Sequence, residues 1–415
     1  MTATQTSHGV ADRRALAGGL LLGTAIFLSP NATAVDSRID SQGVDQPPPR
    51  MGDPLAGLTA AELQLFSEGK DEFLDTETVS DGLGPVFNNT SCGACHSNPA
   101  TGGDSVLLET RFGHAGGNGV FDPLPGDGGS LIQISGTGPV SPECFGETVP
   151  ADANVVARRR TTPLFGLGLV DNVADQTLLD IAASQPAQVA GRANMVTDVA
   201  SGLARVGRFG WKSQVATLKT FSGDAYLNEM GITNPLFPSE NAPQGRDDLI
   251  AACDGRPTEP AELEDDGTAL QAFTDFMSLL APPPRGTING PVQQGEALFG
   301  QIGCADCHVA DLRTGTGSVF PKLNNVTFHP YSDFLLHDMG ALDDQIAQGT
   351  AGSFEMRTAP LWGVSARKTF LHDGRSTKLD DAILKHDGQG KAARDAFSKL
   401  STADQQRVVK FLNSL

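Results

Sequence analysis

The sequence predicts a mainly α protein of two similar domains, with long loops and little strand, and three observations predict it. The pentapeptide C-x-x-C-H occurs twice, as Cys92-Gly-Ala-Cys95-His96 and as Cys304-Ala-Asp-Cys307-His308. Each copy follows a segment with apolar residues at helical spacing, Leu58 to Phe73 before the first and Val292 to Ile302 before the second. Two further motifs recur in the same order. Arg160-Thr-Thr-Pro163-Leu-Phe-Gly166-Leu is echoed by Arg357-Thr-Ala-Pro360-Leu-Trp-Gly363-Val, and Phe209-Gly-Trp211-Lys by Phe370-Leu-His372-Asp. Repetition of this kind marks one structural unit used twice.

The residue types in the pentapeptide name its chemistry. Two thiols can form thioethers to a porphyrin, and the imidazole that follows falls beneath it to ligate iron. A thioredoxin-like dithiol or half of a zinc site explains no His directly after both pairs. The repeated units therefore read as cytochrome c-like haem domains. They would carry two covalently bound haem c groups, with His96 and His308 as iron ligands.

Export agrees with thioether attachment. Arg13 and Arg14 precede an apolar stretch from Ala15 to Leu28, and Ala32-Thr-Ala34 supplies a small-residue cleavage signature. Residues 1–34 read as a signal peptide cleaved near Ala34, on the general secretory route, which places the mature protein in the periplasm. The apolar run is too short for a spanning helix, and no other segment is long and apolar enough, so no membrane span is expected in the mature form.

A Pro-rich leader covers 35–57. The N-terminal haem domain with its insertions runs over 58–285 and the C-terminal haem domain over 286–415. Between them Ala281-Pro-Pro-Pro-Arg-Gly286 stops a helix ending near Leu280 and stiffens the junction. The N-terminal copy is longer because of a Gly-rich stretch from Thr101 to Gly146 and because Pro163 and Trp211 are 48 apart, against 12 for Pro360 and His372. Insertions beside a cofactor form surface loops or wall off its edge. The 48 Gly and 26 Pro also imply long loops. The chain closes on a helix from about Ser401 to Leu415, with Val408, Phe411, Leu412 and Leu415 on one face.

The formal net charge of −19 argues against nucleic acid or anionic lipid as partner and makes a small or basic electron donor easier to accept. Cys144 and Cys253, the two thiols outside the motifs, are expected to form a structural disulfide in an exported chain. Leu379, Ala382, Ile383 and His386 fall at i, i+3, i+4 and i+7, so His386 projects from the apolar face of a helix. A core histidine is the plain reading of such a position. Beside two haems it becomes a candidate second iron ligand, with Met339, His337 and His372 as competitors.

With Pro330-Tyr-Ser-Asp-Phe-Leu-Leu-His-Asp-Met-Gly340, Arg357-Thr-Ala-Pro-Leu-Trp-Gly363 and Phe370-Leu-His-Asp-Gly-Arg375 added to the haem motifs, nearly the whole mature chain resembles the di-haem oxidoreductase family. That family is similar to the bacterial di-haem cytochrome c peroxidases and to the methylamine-utilisation enzyme that oxidises tryptophan side chains; some members are described as thiol oxidoreductases. The resemblance implies that the N-terminal haem meets peroxide or oxygen, while a six-coordinate C-terminal haem stores or relays an electron. His386 stands fourteen residues past His372, where the distal ligand of the second haem is expected. The peroxidases commonly have Met there and the tryptophan-oxidising relative Tyr. Two imidazoles imply a lower potential than imidazole with thioether.

The same resemblance makes Trp211 the bridge between the haems, ahead of Trp362, which reads as a structural residue in a Pro-Leu-Trp-Gly turn. Leu227-Asn-Glu229-Met230-Gly231 resembles the loop that supplies the distal carboxylate of the peroxidases, so Glu229 is the acid-base candidate; a solvated surface Glu is the alternative. The Gln that often accompanies it is missing, with Phe221 near its place. His114 is a candidate resting-state ligand of the first haem or a surface residue. His329 and His337 are candidates to line the second haem's pocket. Calcium joins the two domains of relatives through ligands that include backbone carbonyls. The expectation is a periplasmic enzyme that reduces hydrogen peroxide at the His96 haem with electrons relayed by the His308 haem. Its electrons would come from a small redox protein, a cytochrome c or copper protein, or from an oxidisable protein substrate. The alternatives are a non-catalytic di-haem electron carrier, an oxygenase or side-chain-oxidising enzyme, and a redox sensor.

Overall fold

Around each C-x-x-C-H motif a pair of helices crosses at a glycine. The computed structural model describes residues 48–117, 119–138, 144–254 and 263–415; the expected signal peptide and the leader up to residue 47 lie outside them. In chain order the helices are α1 (Ala60–Leu74), α2 (Cys92–Cys95), α3 (Leu167–Asp171), α4 (Asp175–Ser184), α5 (Leu218–Met230) and α6 (Asp247–Cys253). They continue as α7 (Thr268–Leu279), α8 (Gly290–Gln301), α9 (Leu379–Leu384), α10 (Lys391–Lys399) and α11 (Thr402–Leu412).

Helix α1 starts where Thr59 and Glu62 cap each other, Glu62 N–H donating to Thr59 Oγ1 at 3.2 Å and Thr59 N–H to Glu62 Oε2 at 2.7 Å. It packs on α7 through Phe66 and Phe73, whose rings lie 5.2 and 5.0 Å from Phe276. Gly69 permits the approach, because a Cβ there would stand 2.2 Å from the Ala272 carbonyl. The second motif repeats the device. Asn289 caps α8, Phe299 meets Phe411 of α11 at 5.2 Å, and a Cβ on Gly295 would stand 2.0 Å from the Arg407 carbonyl.

The echoed segments also take matching shapes. Gly166 and Gly363 both turn the chain at positive φ, 72° and 68°, ahead of a helical turn, and the bridges Phe209 to Val215 and Phe370 to Ser376 close loops of equal length. Pro282 and Pro283 of the linker are wedged against these two glycines: a Cβ on Gly166 would meet Pro282 at 2.9 Å, and one on Gly363 would meet Pro283 at 2.8 Å. Backbone bonds hold the linker on both sides, Ala281 N–H to Asp53, Gly166 N–H to Leu280 and Gly286 N–H to Ser414. The larger apolar core runs across this junction. Phe66 and Phe276 share it with Phe328, Phe334 and Trp362, while a smaller core gathers Phe299, Tyr331, Phe397 and Phe411.

The expectation of little strand is corrected: with 36% helix and 16% strand the fold is mixed rather than mainly α. The Gly-rich insertion is the main cause. Leu108–Ala115 pairs antiparallel with Val155–Arg160, in register from Leu108 opposite Arg160 to Gly113 opposite Val155, and also carries Phe121–Asp122 and Leu131–Ile132. Three consecutive arginines conceal the second strand, because Arg159 and Arg160 are buried through ion pairs instead of by hydrophobicity. Smaller antiparallel pairs join Asn194–Thr197 to Ala204–Gly207 and Leu336–Asp338 to Glu355–Arg357. Cys144 and Cys253 form a disulfide that ties this insertion to α6, with 5.1 Å between their Cα atoms.

A buried ion cluster ties three regions together. Asp344 accepts Arg159 Nε at 2.6 Å and lies 2.9 Å from Lys212 Nζ, and all three side chains are at most 2% exposed. The Lys212 ammonium also donates to the carbonyls of Gly352, Ser353 and Glu355 at 3.3, 3.1 and 2.5 Å. Burial pushes the Asp344 carboxyl up, but Arg159 and Lys212 outweigh it and hold the group below the ordinary carboxylate range.

Two outcomes follow from this packing. Gly295→Ala should destabilise by about 1–3 kcal/mol through overpacking, whereas Gly300→Ala, on the same helix with open space around it, should be neutral or stabilise by about 0.4–1 kcal/mol; paired thermal melts decide it. Asp344→Asn removes the anion that Lys212 and Arg159 share, leaving Arg159 only Glu109 at 3.7 Å, and should cost about 3–5 kcal/mol. A carboxylate with a depressed folded pKa contributes stability above its unfolded value, about 3.9. The wild-type advantage over Asp344→Asn should therefore shrink as the pH of a denaturant titration falls through and below that value.

Candidate haem sites and the residues between them

Gly303, at φ 87°, turns the chain out of α8 into the short turn Cys304–Asp306 that carries the second motif. Cys304, Cys307 and His308 line an apolar cavity together with His386, Met339 and Trp211. His308 packs on Phe299 at 6.1 Å, and its Nδ1 bonds the Tyr331 carbonyl at 2.9 Å. Since a carbonyl only accepts, Nδ1 carries the proton and Nε2 is left as a lone pair for a metal. Burial pushes this imidazole down to about 4, so it is neutral at physiological pH.

His386 reaches the same cavity from a distant segment. The helix expected beneath it is shorter than the spacing implied: α9 ends at Leu384 and His386 lies just beyond. Its Nδ1 bonds the Ala382 carbonyl at 2.9 Å, which keeps the ring over the apolar face and leaves its Nε2 free as well. Burial lowers its pKa. Met339 lies beside it, since a Cβ on Gly390 would meet both Met339 Cε and His386 Cδ2 at 3.3 Å. His337 is otherwise engaged, with Nε2 on Asp333 Oδ2 at 2.9 Å and Nδ1 at 3.6 Å from Cys307 Sγ; Gln185 also donates to Asp333 at 2.7 Å. Cys307, Asp333 and His337 are the one set of metal-capable donors, among the described residues, whose ligand atoms lie within 4.8 Å. These groups bond to one another. His372 is buried edge-on to Trp211 at 6.2 Å. His329 bonds Asp311 at 2.7 Å.

The first motif repeats this geometry. Ser91 caps α2, and His96 packs on Phe73 at 6.0 Å with Nδ1 on the Gly103 carbonyl at 3.1 Å. Burial pushes His96 down to about 4 and the thiols of Cys92 and Cys95 up to about 12 and about 11. Cys304 is likewise raised to about 12. A redox dithiol is favoured by a lowered thiol pKa, and burial moves these thiols the other way.

Glu229 lies in the last turn of α5, which Gly231 ends at φ 74°, and not in a loop as expected. Its Oε2 accepts Asn88 Nδ2 at 2.8 Å, and its carbonyl accepts the N–H groups of Asn88 and Asn89 at 2.8 and 3.2 Å. Asn88 stands just before the first motif, so the fold fastens Glu229 to the chain entering it. Burial first, then Glu109, pushes this carboxyl up to about 7, against the opposing pull of Asn88 and Arg111. Arg111 is drawn toward Glu109, with Nε to Oε1 at 2.5 Å. Burial also raises the neighbouring Asp224 to about 6. Asn88, Glu109, Arg111 and Asp224 were not legible as a group in the sequence, because tertiary packing gathers them around Glu229 from separate segments. The alternation Glu109-Thr-Arg111 was the one local signal.

Trp211 lies between the motifs. It lines the cavity of the second and also a smaller one with Thr162, Phe209 and Phe221, and the Thr162 backbone lies beside the His96 ring. Its Nε1 donates to the Arg160 carbonyl at 2.9 Å, and its own carbonyl accepts Arg357 N–H at 2.8 Å. Trp362 packs on Phe328 at 5.8 Å in the core. His114 is exposed, with Nδ1 donating to the Asp152 carbonyl at 2.7 Å.

The donor set fits the haem that the motifs imply: neutral imidazoles oriented by backbone carbonyls, cysteines beside them, and around the second motif an apolar cavity open to a second imidazole. No curated protein matches the chain. Among solved structures, the diheme peroxidase BthA from Burkholderia thailandensis E264 is 15% identical over 91% of this chain and 92% of that one, with a TM-score of 0.42. A MauG-like protein associated with microbial copper homeostasis is 14% identical over 90% and 94%, with 0.39. Kuenenia stuttgartiensis hydrazine synthase is 16% identical over 92% and 99%, with 0.40. The family described as "Di-haem oxidoreductase, putative peroxidase" matches residues 143–415, more than half of the chain. The protein therefore belongs to the di-haem oxidoreductase family and is an enzyme of peroxidase-like type.

Proposed function

We propose that the protein is a periplasmic di-haem peroxidase that reduces hydrogen peroxide at an N-terminal haem c held by Cys92, Cys95 and His96. Electrons reach it through Trp211 from a C-terminal haem c held by Cys304, Cys307, His308 and His386. The two haem domains are 58–285 and 286–415. Glu229 supports the reading most: a half-buried carboxyl, fixed by Asn88 beside the first motif, that burial and Glu109 push up to about 7. Bound haem supplies iron-centred redox chemistry, and the chain supplies position and protons. Ionised Glu229 takes the proton from the near oxygen of peroxide and returns it to the far one, so that water leaves. Two electrons and two further protons complete the conversion to two waters.

The test is electronic and electron paramagnetic resonance spectroscopy of the oxidised and half-reduced protein, before and after one equivalent of peroxide. A high-spin haem that reacts within the mixing time is the expected result. Two unreactive low-spin haems in both states would sink the reading and leave a non-catalytic electron carrier.

Because Glu229 acts as a base from its ionised form, the rate of reaction with peroxide should rise with pH through about 7 and level off above it. Glu229→Gln should slow that step by roughly 10²–10⁴-fold and flatten the profile, as stopped-flow mixing across pH will show. Replacing His386 by Met should raise the potential of the second haem by on the order of 100 mV, a part of the ~0.8 V range that axial ligands command. An unchanged spectrum and potential would remove His386 from the ligand set.

A further inference from the structure

The chain has 2 tyrosines, and the fold treats both alike. Tyr226 and Tyr331 are buried, 4% and 2% exposed, and each phenol donates to a half-buried glutamate, Tyr226 to Glu77 Oε1 at 2.8 Å and Tyr331 to Glu296 Oε1 at 2.6 Å. Each pair stands beside one C-x-x-C-H motif. The Tyr226 ring lies edge-on to Phe273 at 5.0 Å, and Phe273 leads to His96 through Phe73, at 6.4 and 6.0 Å; Glu77 N–H donates to the Thr90 carbonyl just before Cys92. The Tyr331 ring lies 6.4 Å from Phe299, which packs on His308, and the Tyr331 carbonyl accepts His308 Nδ1–H. A buried phenol needs an acceptor, which any backbone carbonyl supplies. A carboxylate drawn half out of water is a costlier acceptor, and both tyrosines have one. What it adds is the capacity to take a proton. Trp211 makes the contrast: its Nε1 donates to the Arg160 carbonyl, which takes no proton, so an oxidising equivalent that reaches the indole is passed on.

We propose that Tyr226 and Tyr331 are redox-active residues that supply two electrons to hydrogen peroxide when no reduced partner is at hand. The proposal rests on the peroxidase reading. In each step the phenol O–H bond breaks, its proton passes to the glutamate, one electron passes toward the adjacent motif, and a neutral phenoxyl radical remains. Two phenols oxidised in this way balance one peroxide reduced to two waters, because the half-exposed glutamates release to water the two protons that the peroxide takes up from it. Local charge couples the electron to the proton. Arg285 Nη1 donates to the Tyr331 oxygen at 3.1 Å, which leaves the phenol proton for Glu296, and the guanidinium stands 5.6 Å from the centre of the ring. A cation there opposes positive charge on the ring, so the electron and the proton leave together. Burial, then Glu77, holds the Tyr226 phenol above its ordinary range, so its proton is not lost before oxidation.

The experiment is rapid-freeze electron paramagnetic resonance of the oxidised holoprotein mixed with one equivalent of peroxide and no donor, prepared with ordinary and with ring-deuterated tyrosine. A radical whose hyperfine pattern narrows on tyrosine deuteration is the expected result. Tyr226→Phe and Tyr331→Phe should each remove a part of it and the double variant all of it, with oxidised haem spectra as in the wild type. Glu77→Gln and Glu296→Gln keep an acceptor but lose the base; each should slow formation of its radical by roughly 10²-fold or more and abolish the slowing that heavy water causes. A radical that responds only to tryptophan deuteration, a signal that either phenylalanine substitution leaves whole, or a rate unmoved by the glutamine substitutions would overturn the proposal. The two readings fail separately. Haem spectra that change with peroxide while no tyrosine radical forms remove only the tyrosines. Haem spectra that do not change remove the peroxidase, and flash oxidation by a photogenerated ruthenium complex then tests the tyrosines without peroxide: a tyrosine radical keeps their redox role, and its absence ends it.

Discussion

The Asp344 carboxylate lies between two cations that reach it from different parts of the chain, Arg159 on a strand of the insertion sheet and Lys212 next to Trp211. None of the three is accessible to water, so the carboxylate depends on the two cations and they on it for compensation. Their joint position decides more than stability. Lys212 fixes the backbone of the loop that presents Trp211, and its ammonium gathers three carbonyls of the loop Gly352 to Glu355. The insertion, the tryptophan between the motifs and the wall of the second cavity are thereby referred to one point of charge.

The same insertion treats a second carboxylate in the opposite way. Glu229 is half-buried, but Arg111 is largely engaged by Glu109, and Glu109 itself pushes the Glu229 carboxyl up. One buried acid is kept ionised by two cations and the other is brought to the edge of protonation by the shortage of one. The two carboxylates thus differ because Arg159 and Lys212 both reach Asp344, while Arg111 is shared between Glu109 and Glu229.

Much of this was legible in the sequence where the signal was local. The helical spacing before each motif, the disulfide and the apolar face beneath His386 all appear in the fold, although α9 stops short of the histidine it was expected to carry. Local periodicity did not reach the pairing of Leu108–Ala115 with Val155–Arg160, because strand partners 42 to 52 residues apart leave no mark in a window of ten. The surroundings of Glu229 were hidden because they come from segments far apart in the chain.

The prolines of the linker have a kinetic meaning. Two chains that exchange electrons must meet, orient and part, and their rate depends on concentration and on how often the encounter is productive. Pro282 and Pro283, held between the turns at Gly166 and Gly363, abolish that search for the two halves of this chain. An electron passed between two haems held by the C-x-x-C-H motifs would move as a first-order property of a single folded molecule, the same in dilute as in crowded solution. Diffusion governs only the arrival of outside reactants.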